Sequence, residues 1–201
     1  MEFGIIFLAA GASSRMGREH KLLLPWGALT VVGTAARSAS TVPGAHTVVV
    51  LGCRADEVQA AVTAGVQRQV AFTTNPRWAE GMFTSIEAGL AVLPDAVEAF
   101  FVVLGDMPLI PTEAYTVLIG AYKPGSICVP TFEGRRGHPV LVSRRLVDDT
   151  PPPDSDQGLR SVLRRYPELV MEVPLPYHGI CVDLDTPEEY RNHKPNQATG
   201  L

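Results

Sequence analysis

The chain has 201 residues, of which 46% are hydrophobic, and this combination predicts one α/β domain with a substantial core. Its formal net charge of −4 argues against a nucleic-acid-binding protein, because such proteins usually carry a basic surface. No apolar run approaches the roughly 20 residues of a membrane span, and the first residues lack the features of a secretory signal. We therefore expect a cytoplasmic protein with no membrane partner and no nucleic-acid partner.

Short apolar runs alternate along the chain with segments of helical period, which is the pattern of βαβ units around a parallel sheet. The predicted strands are residues 3–8, 47–51, 69–73, 99–104, 126–129, 138–142, 170–174 and 180–184. The predicted helices are residues 32–40, 55–64, 82–93, 112–121, 158–166 and 187–191. We predict a single-domain, Rossmann-like, three-layer α/β/α fold over residues 1–191 with a mostly parallel sheet, followed by a polar C-terminal tail over residues 192–201.

The first predicted strand runs into a loop of small residues that extends from Gly11 to Gly17 and is accompanied by two cations, Arg15 and Lys21. Small side chains let a ligand approach the backbone, whose N–H groups can then face phosphate oxygens. Arginine adds a planar fork of donors and lysine a mobile point charge. The spacing fits neither the Walker A loop nor the dinucleotide fingerprint. The loop indicates a triphosphate site, and the alternative is an ordinary turn rich in small residues.

Two further predicted strands are followed by candidate site residues, as expected if ligands bind beyond the carboxyl ends of the strands. Gly81 and Ser85 begin the helix after the third strand, where a helix N-terminus attracts anions and hydrogen-bond acceptors. An ordinary helix start is the alternative for Ser85. Asp106 follows the fourth strand, where an unpaired carboxylate is costly. A bound Mg²⁺, held by few carboxylates together with phosphate and water, would account for Asp106, and capping of the next turn is the alternative.

The last predicted strand carries two acidic residues, Asp183 and Asp185, on one of its faces, because side chains alternate along a strand. The helix begun by Pro187 needs a cap, which either Asp185 or Thr186 can supply. We expect Asp185 to act mainly as this cap. The three cysteines are far apart and have no histidine at ligand spacing, which excludes a zinc site of the usual kind.

The stretch from Leu8 to Lys21 resembles the signature Leu-Ala-x-Gly-x-Ser-x-Arg-Met-Gly, followed by a Lys, of nucleotidyltransferases that activate sugars, isoprenoid precursors and molybdopterin. Lys-Leu-Leu-Leu-Pro-Trp-Gly, Gly-Asp-Met-Pro, Gly-His-Pro-Val-Leu-Val and Asp-x-Asp-Thr-Pro extend the resemblance over nearly the whole chain. The chain is most similar to the molybdenum cofactor cytidylyltransferase group, because its loop begins Leu-Ala-Ala-Gly where guanylyltransferases typically carry Leu-Ala-Gly-Gly.

This resemblance implies a nucleotidyltransferase that moves CMP from CTP to molybdopterin, with Mg²⁺ as cofactor, pyrophosphate as leaving group and a molybdoenzyme as recipient of the product. Arg15, Lys21 and Asp106 are its implied catalytic residues, and Asp106 and Asp183 its implied metal ligands. The implied nucleotide-binding residues are Leu8, Ala9, Ala10, Gly11, Ser13, Ser14, Arg15, Met16, Gly17, Lys21, Asn75, Gly81 and Ser85.

The molybdopterin acceptor is expected near a Gly-His-Pro triplet. Its implied contacts are Gly137, His138, Pro139 and Arg160, whereas Arg135 and Arg136 fit an anionic acceptor and plain solvation equally well. Three alternatives stay open: a guanylyltransferase that uses GTP with molybdopterin, a related protein of purine catabolism that helps to mature a molybdenum hydroxylase, and a catalytically silent nucleotide- or cofactor-binding maturation factor. For Trp26, which follows the loop, we expect a structural role.

Overall fold

The computed structural model describes residues 2–13, 19–151 and 158–195. The strands are β1 (Glu2–Ala9), β2 (Pro25–Trp26), β3 (Leu29–Thr30), β4 (His46–Leu51), β5 (Ala71–Thr74), β6 (Val97–Leu104), β7 (Ile127–Phe132), β8 (Arg135–Arg136), β9 (Val140–Ser143) and β10 (Val170–Pro174). The α-helices are α1 (Val31–Ala39), α2 (Ala55–Gly65), α3 (Met82–Leu90), α4 (Thr112–Ala121), α5 (Arg144–Asp148), α6 (Arg160–Arg165) and α7 (Pro187–His193). Within these described ranges, every helix is too short or too polar to cross a membrane.

One mixed sheet of eight strands forms the middle layer, in the order β10-β7-β9-β6-β1-β4-β5, with β8 paired to β7. The central strand β1 is parallel to both of its neighbours, β4 and β6, and β5 and β10 are also parallel to their partners. Only β9 and the short β8 run antiparallel to the strands beside them in the described sheet. The prediction of a mostly parallel sheet is confirmed, and β6, β1, β4 and β5 present their carboxyl ends at the same edge.

Alternate residues of β1 enter two separate cores, which makes the fold three layers thick. Ile5 and Phe7 pack in a cluster that also contains apolar residues of α1, α2 and α4. Ile6 and Leu8 pack in a second cluster with residues of α3, α5 and α6. Burial on both faces is typical of a central parallel strand and explains why residues 3–8 read as a continuous apolar run. The predicted single-domain α/β/α arrangement is therefore confirmed.

A small third core joins the start of the chain to its end. It contains Trp26 of the β2–β3 hairpin together with Val182 and Leu184, and Tyr190 packs against it. The Tyr190 hydroxyl donates a hydrogen bond to the Pro25 carbonyl at 2.6 Å. Trp26 is 5% exposed, so its predicted structural role is confirmed.

The predicted strand over residues 180–184 is wrong. A 3-10 turn, His178–Cys181, is followed by an extended segment, residues 182–185, that joins none of the described strands. The segment is held instead by the Leu184 N–H, which donates to the Asp106 carbonyl at 3.3 Å. This bond brings the segment beside the end of β6.

The cap of α7 is Thr186, so the capping role predicted for Asp185 is also wrong. The Thr186 hydroxyl accepts from the Glu189 N–H, and the Glu189 carboxylate accepts from the Thr186 N–H, which together form a capping box. The helix continues to His193 and includes the first two residues of the predicted tail. Because Thr186 serves as the cap, Asp185 is available for another role.

Candidate active site

A cleft of about 400 Å³ opens beside the carboxyl ends of β1 and β6. Two backbone hydrogen bonds tie neighbouring strand ends together: the Gly105 N–H donates to the Leu8 carbonyl at 2.9 Å, and the Asn75 N–H donates to the Leu51 carbonyl at 2.8 Å. The cleft thus lies where ligands of parallel sheets bind. Its lining residues are Leu8, Ala10, Gly11, Ala12, Ser13, Lys21, Leu22, Trp78, Ala79, Gly81, Met82, Ser85, Leu104, Gly105, Asp106 and Asp185.

Lys21 contacts two carboxylates at this cleft. Its Nζ donates to Asp106 and to Asp185, the second at 2.6 Å. Burial by itself would lower the pKa of Lys21, but the charges and hydrogen bonds of the two carboxylates outweigh burial, so the pKa is raised. The side chains of Lys21 and Asp106 are only 14% and 16% exposed, so solvent screens their attraction less than it would at the surface. The site therefore contains a fixed cation with two anionic partners.

The small-residue loop forms the wall next to Lys21. Ala10, Gly11 and Ser13, for which nucleotide binding was predicted, line the cleft, and Ser13 has a positive φ of 57°. The Ser13 hydroxyl is buried and has no hydrogen-bond partner among the described residues. Ala9, in contrast, is 1% exposed and belongs to the core on the other side of β1, so the structure does not bring its side chain to the cleft. The remaining predicted loop residues lie outside the described part of the chain, and their roles stay predictions: Ser14, Arg15, Met16 and Gly17.

A second wall of the cleft follows β5. Trp78, Gly81 and Ser85 line the cleft here, and Gly81, with a φ of 125°, adopts a conformation that side chains rarely allow. Asn75 is not among the lining residues and is 2% exposed. Its side-chain amide is instead bonded to Ser85 and to other atoms of this segment. The structure therefore places Asn75 behind the wall that was predicted to contact the nucleotide.

The structure brings Asp185, rather than Asp183, to Lys21. Asp185 lines the cleft, whereas Asp183 is exposed and is not among the described lining residues. The pKa of Asp183 is raised, first by partial burial and then by the negative charges of Asp185 and Asp106. The three acidic residues thus share one region, but the carboxylate that joins Asp106 at Lys21 is the one for which only a cap was predicted. The role of Asp183 as a metal ligand stays a prediction.

The four residues predicted for the acceptor do not line this cleft. Gly137 packs so closely on the chain that a β-carbon would lie 2.2 Å from the Ile180 carbonyl oxygen. The next residue, His138, donates its N–H to the same carbonyl at 2.9 Å. Pro139 is buried after it, and Arg160 is exposed at the start of α6. A glycine is therefore needed at position 137 so that the chain can pack against the Ile180 backbone.

His138 nevertheless lies within electrostatic reach of Asp106. Burial is the main cause that lowers its pKa, and the charge of Arg160 adds to this, while the Val102 carbonyl and the charge of Asp106 oppose it. His138 is therefore within electrostatic reach of both Asp106 and Arg160. Arg136 forms an ion pair with Glu172 at 2.8 Å on the exposed surface, which fits simple solvation better than an acceptor site.

Trp78 and Asp185 are cleft residues for which the sequence predicted no binding or catalytic role. Trp78 stands four residues before Met82, the first residue of α3, and the nucleotide-binding residues predicted near it, Asn75, Gly81 and Ser85, are all small or polar. Asp185 could have been found from its alternation with Asp183, since both acidic residues share one face of an extended segment. The choice between them depends on the path of the chain, which periodicity does not reveal.

The fold and the cleft together define a nucleotidyltransferase: a small-residue loop after β1, a lysine at its end and a carboxylate after β6. In a comparison with protein families, residues 5–170 match the MobA-like NTP transferase domain. The chain belongs to this family.

Individual relatives give a mixed functional picture. The chain is 28% identical over 185 residues to the molybdenum cofactor cytidylyltransferase of Escherichia coli K12, with 92% of each chain covered. It is 33% identical over 195 residues to the nicotine blue oxidoreductase of Paenarthrobacter nicotinovorans, again with 92% of each chain covered. Among solved structures, the Mycobacterium sp. strain JC1 homologue of Mycobacterium tuberculosis Rv0371c is 27% identical, with a TM-score of 0.79 over 94% of this chain and 93% of that one.

Proposed function

We propose that this protein transfers CMP from CTP to molybdopterin and releases pyrophosphate, with Mg²⁺ as cofactor and a molybdoenzyme as recipient of the product. The observation that carries the proposal is the convergence of Lys21, Asp106 and Asp185 at a cleft walled by the small-residue loop. The similarity to the cytidylyltransferase of Escherichia coli supports the choice of substrates. Because such chemistry uses a cytosolic nucleotide, we propose a cytoplasmic location.

The residues of this cleft fit a divalent cation. Asp106 and Asp185 reach the same positively charged atom, the Nζ of Lys21, so their carboxylates converge on one point. Among the described residues, no cluster of three or more His, Cys, Asp or Glu is arranged to hold a metal. Two carboxylates with phosphate and water as the other ligands suit Mg²⁺. When bound there, Mg²⁺ would supply positive charge that neutralises the triphosphate, with Asp106 and Asp185 as its protein ligands.

In the proposed reaction, an oxygen of the acceptor phosphate forms a bond to the α-phosphorus of CTP. The bond from that phosphorus to the α–β bridging oxygen breaks, and this oxygen leaves with the electron pair as part of pyrophosphate. A phosphate monoester is already a nucleophile near neutral pH, so no side chain has to remove a proton. Catalysis rests on alignment and on charge placed in advance by the protein.

The chain's own groups supply that alignment and charge. The N–H groups around Gly11 face the triphosphate, and Lys21 provides a cation whose raised pKa keeps it protonated. We propose Arg15 as a second cation on the β- and γ-phosphates. The acceptor approaches from the side of Asp106 that faces His138. His138 is within electrostatic reach of both Asp106 and Arg160.

The test is an assay of the purified protein with Mg²⁺, molybdopterin and each ribonucleoside triphosphate in turn. We expect pyrophosphate and a molybdopterin cytosine dinucleotide with CTP, detected by a coupled assay and by mass spectrometry. Formation of the guanine dinucleotide instead would establish the guanylyltransferase alternative. An Asp106→Ala variant should release no pyrophosphate while keeping its circular dichroism spectrum, and unchanged turnover by that variant would refute the role of Asp106.

The identity of 33% to a nicotine blue oxidoreductase favours an oxidoreductase as the second candidate. The discriminating experiment is incubation of the same preparation with nicotine blue and a reduced nicotinamide cofactor, followed by absorbance. Reduction of the dye without release of pyrophosphate from any triphosphate would favour this candidate. We expect pyrophosphate release and no reduction of the dye.

A further inference from the structure

The side-chain amide of Asn75 has only one possible orientation. The Arg77 N–H can only donate, and it donates to Asn75 Oδ1 at 2.9 Å. The Nδ2 group therefore faces the two hydroxyls of the following helix, Thr84 Oγ1 at 2.8 Å and Ser85 Oγ at 2.9 Å. Nδ2 carries two protons and no lone pair for hydrogen bonding, so it donates one proton to each hydroxyl.

The two hydroxyls differ in whether a protein group accepts their own protons. Thr84 Oγ1 lies 2.9 Å from the Gly81 carbonyl and 3.0 Å from the Arg77 carbonyl, and either can accept its proton. Ser85 Oγ accepts from Asn75, and among the described residues no acceptor receives the Ser85 proton. Ser85 is 4% exposed and lines the cleft. Its proton is therefore available to a bound ligand.

We infer that Asn75 is a positioning residue that fixes the Ser85 hydroxyl as a hydrogen-bond donor toward an acceptor atom of the bound nucleobase. This inference rests on the proposed function, which supplies the nucleotide. The acceptor atoms of a nucleobase are its carbonyl oxygens and its unprotonated ring nitrogens. The part of the cleft that carries the small-residue loop and Lys21 is left for the triphosphate.

Exchanging Asn75 for Asp reverses the direction of this hydrogen bond without removing any contact. A carboxylate can still accept from the Arg77 N–H, but it must accept from the Ser85 hydroxyl rather than donate to it. The Ser85 proton is then donated to the introduced carboxylate. The hydroxyl can offer only a lone pair, and no proton, to a ligand in the cleft. We expect CTP to bind about tenfold more weakly or worse to Asn75→Asp and about tenfold more weakly to Ser85→Ala, as for one lost hydrogen bond.

The experiment measures CTP affinity by titration calorimetry and the kinetics of pyrophosphate release for both variants and for their double variant. The double variant should bind no more weakly than Ser85→Ala, because reversing a hydroxyl that is absent has no effect. The loss should appear mainly in KM, since the contact is made in the ground state and the transition state alike. Asn192→Asp, which makes the same substitution on the exposed face of α7, serves as the control and should bind CTP normally.

Thr84→Ala keeps the inference testable if Asn75→Asp does not fold. This change removes the neighbouring hydroxyl of the same network but leaves the Ser85 donor, so CTP affinity should change far less than in Ser85→Ala. Equal losses in the two alanine variants, or wild-type affinity in Ser85→Ala, would overturn the inference. Failure of the wild-type protein to bind or turn over any triphosphate would instead overturn the proposed function.

Discussion

Lys21 and Asp106 are 85 positions apart in the sequence, yet the Lys21 ammonium donates directly to the Asp106 carboxylate. The loop after β1 provides the cation, and the end of β6 provides the anion. These two strands are adjacent and parallel, so their carboxyl ends necessarily lie together. The contact joins the predicted phosphate site to the predicted metal site.

Replacing Lys21 by Ala should lower kcat about 100-fold or more. The change removes a preorganised positive charge from the cleft, and loss of one such group typically has an effect of this size. It also leaves Asp106 and Asp185 facing each other without their shared cation. The measurement is steady-state pyrophosphate release, with Lys123→Ala as a matched change at an exposed position. Equal rates in the two variants would contradict the role of Lys21.

Asp185→Asn should impair turnover more than Asp183→Asn. Asp185 shares Lys21 with Asp106 and lines the cleft, whereas Asp183 is exposed. Both changes remove one negative charge from the same segment, so each controls for the other. The comparison is best made as activity against Mg²⁺ concentration, where Asp185→Asn should need more Mg²⁺ for half-maximal rate. The reverse order would restore Asp183 as the second metal ligand.

Gly65→Ala should destabilise the fold by about 1–3 kcal/mol, the usual cost of overpacking. A β-carbon there would lie 2.1 Å from the Gly33 carbonyl oxygen, so α1 and α2 would have to separate. Gly120 lies in α4 with nothing within 4 Å of the same added atom. Gly120→Ala should therefore stabilise by about 0.5–1 kcal/mol through the better helix propensity of alanine. Urea denaturation of both variants measures these opposite signs, and a loss of stability in both would contradict the packing explanation.

His20 should make the protein less stable in mild acid. It is 4% exposed, and burial, followed by the charge of Arg54, lowers its pKa from the ordinary value of 6.5. Below pH 6.5, His20 binds a proton in the unfolded chain, whereas in the folded chain it stays neutral until the pH falls further. The contribution of His20 is therefore fully present above pH 6.5 and is lost as the pH falls through the lowered, folded-state pKa.

The measurement is the free energy of unfolding at about pH 7.5 and about pH 5.5 for the wild type and for His20→Gln. Glutamine has no proton to gain in this range, so the variant should lose less stability between the two conditions. Equal losses in both proteins would show that other groups govern the acid response.

The predicted sheet follows directly from local sequence, and so do the positions of Lys21 and Asp106 in the site. The apolar runs that end at Leu8 and Leu104 could be recognised as buried strands, and Lys21 and Asp106 stand just beyond them. Strand direction was harder, because the alternation of β9 is the same whether it runs parallel or antiparallel to its neighbours. Periodicity identifies the face of a side chain and not the direction of its strand.

The roles of Asn75 and Asp185 depend on tertiary contacts that local sequence does not contain. Asn75 was assigned to the nucleotide because the family resemblance implied it, but its amide donates a hydrogen bond to the Ser85 hydroxyl, ten residues further along. Asp185 was assigned to the helix cap because Asp183 was taken as the second metal ligand, although Thr186, beside Asp185, is equally suited to the cap. For the cap, two neighbouring residues could serve the same purpose, and only the path of the backbone decides between them.

The extended segment that carries Asp185 is also one of the last parts of the described chain to be synthesised. Every described strand of the sheet has been made once Pro174 leaves the ribosome, and the region matched by the family ends even earlier, at residue 170. The segment is anchored by Tyr190, which bonds to Pro25. A nascent chain therefore contains all of these strands before it contains the residue that joins Asp106 at Lys21.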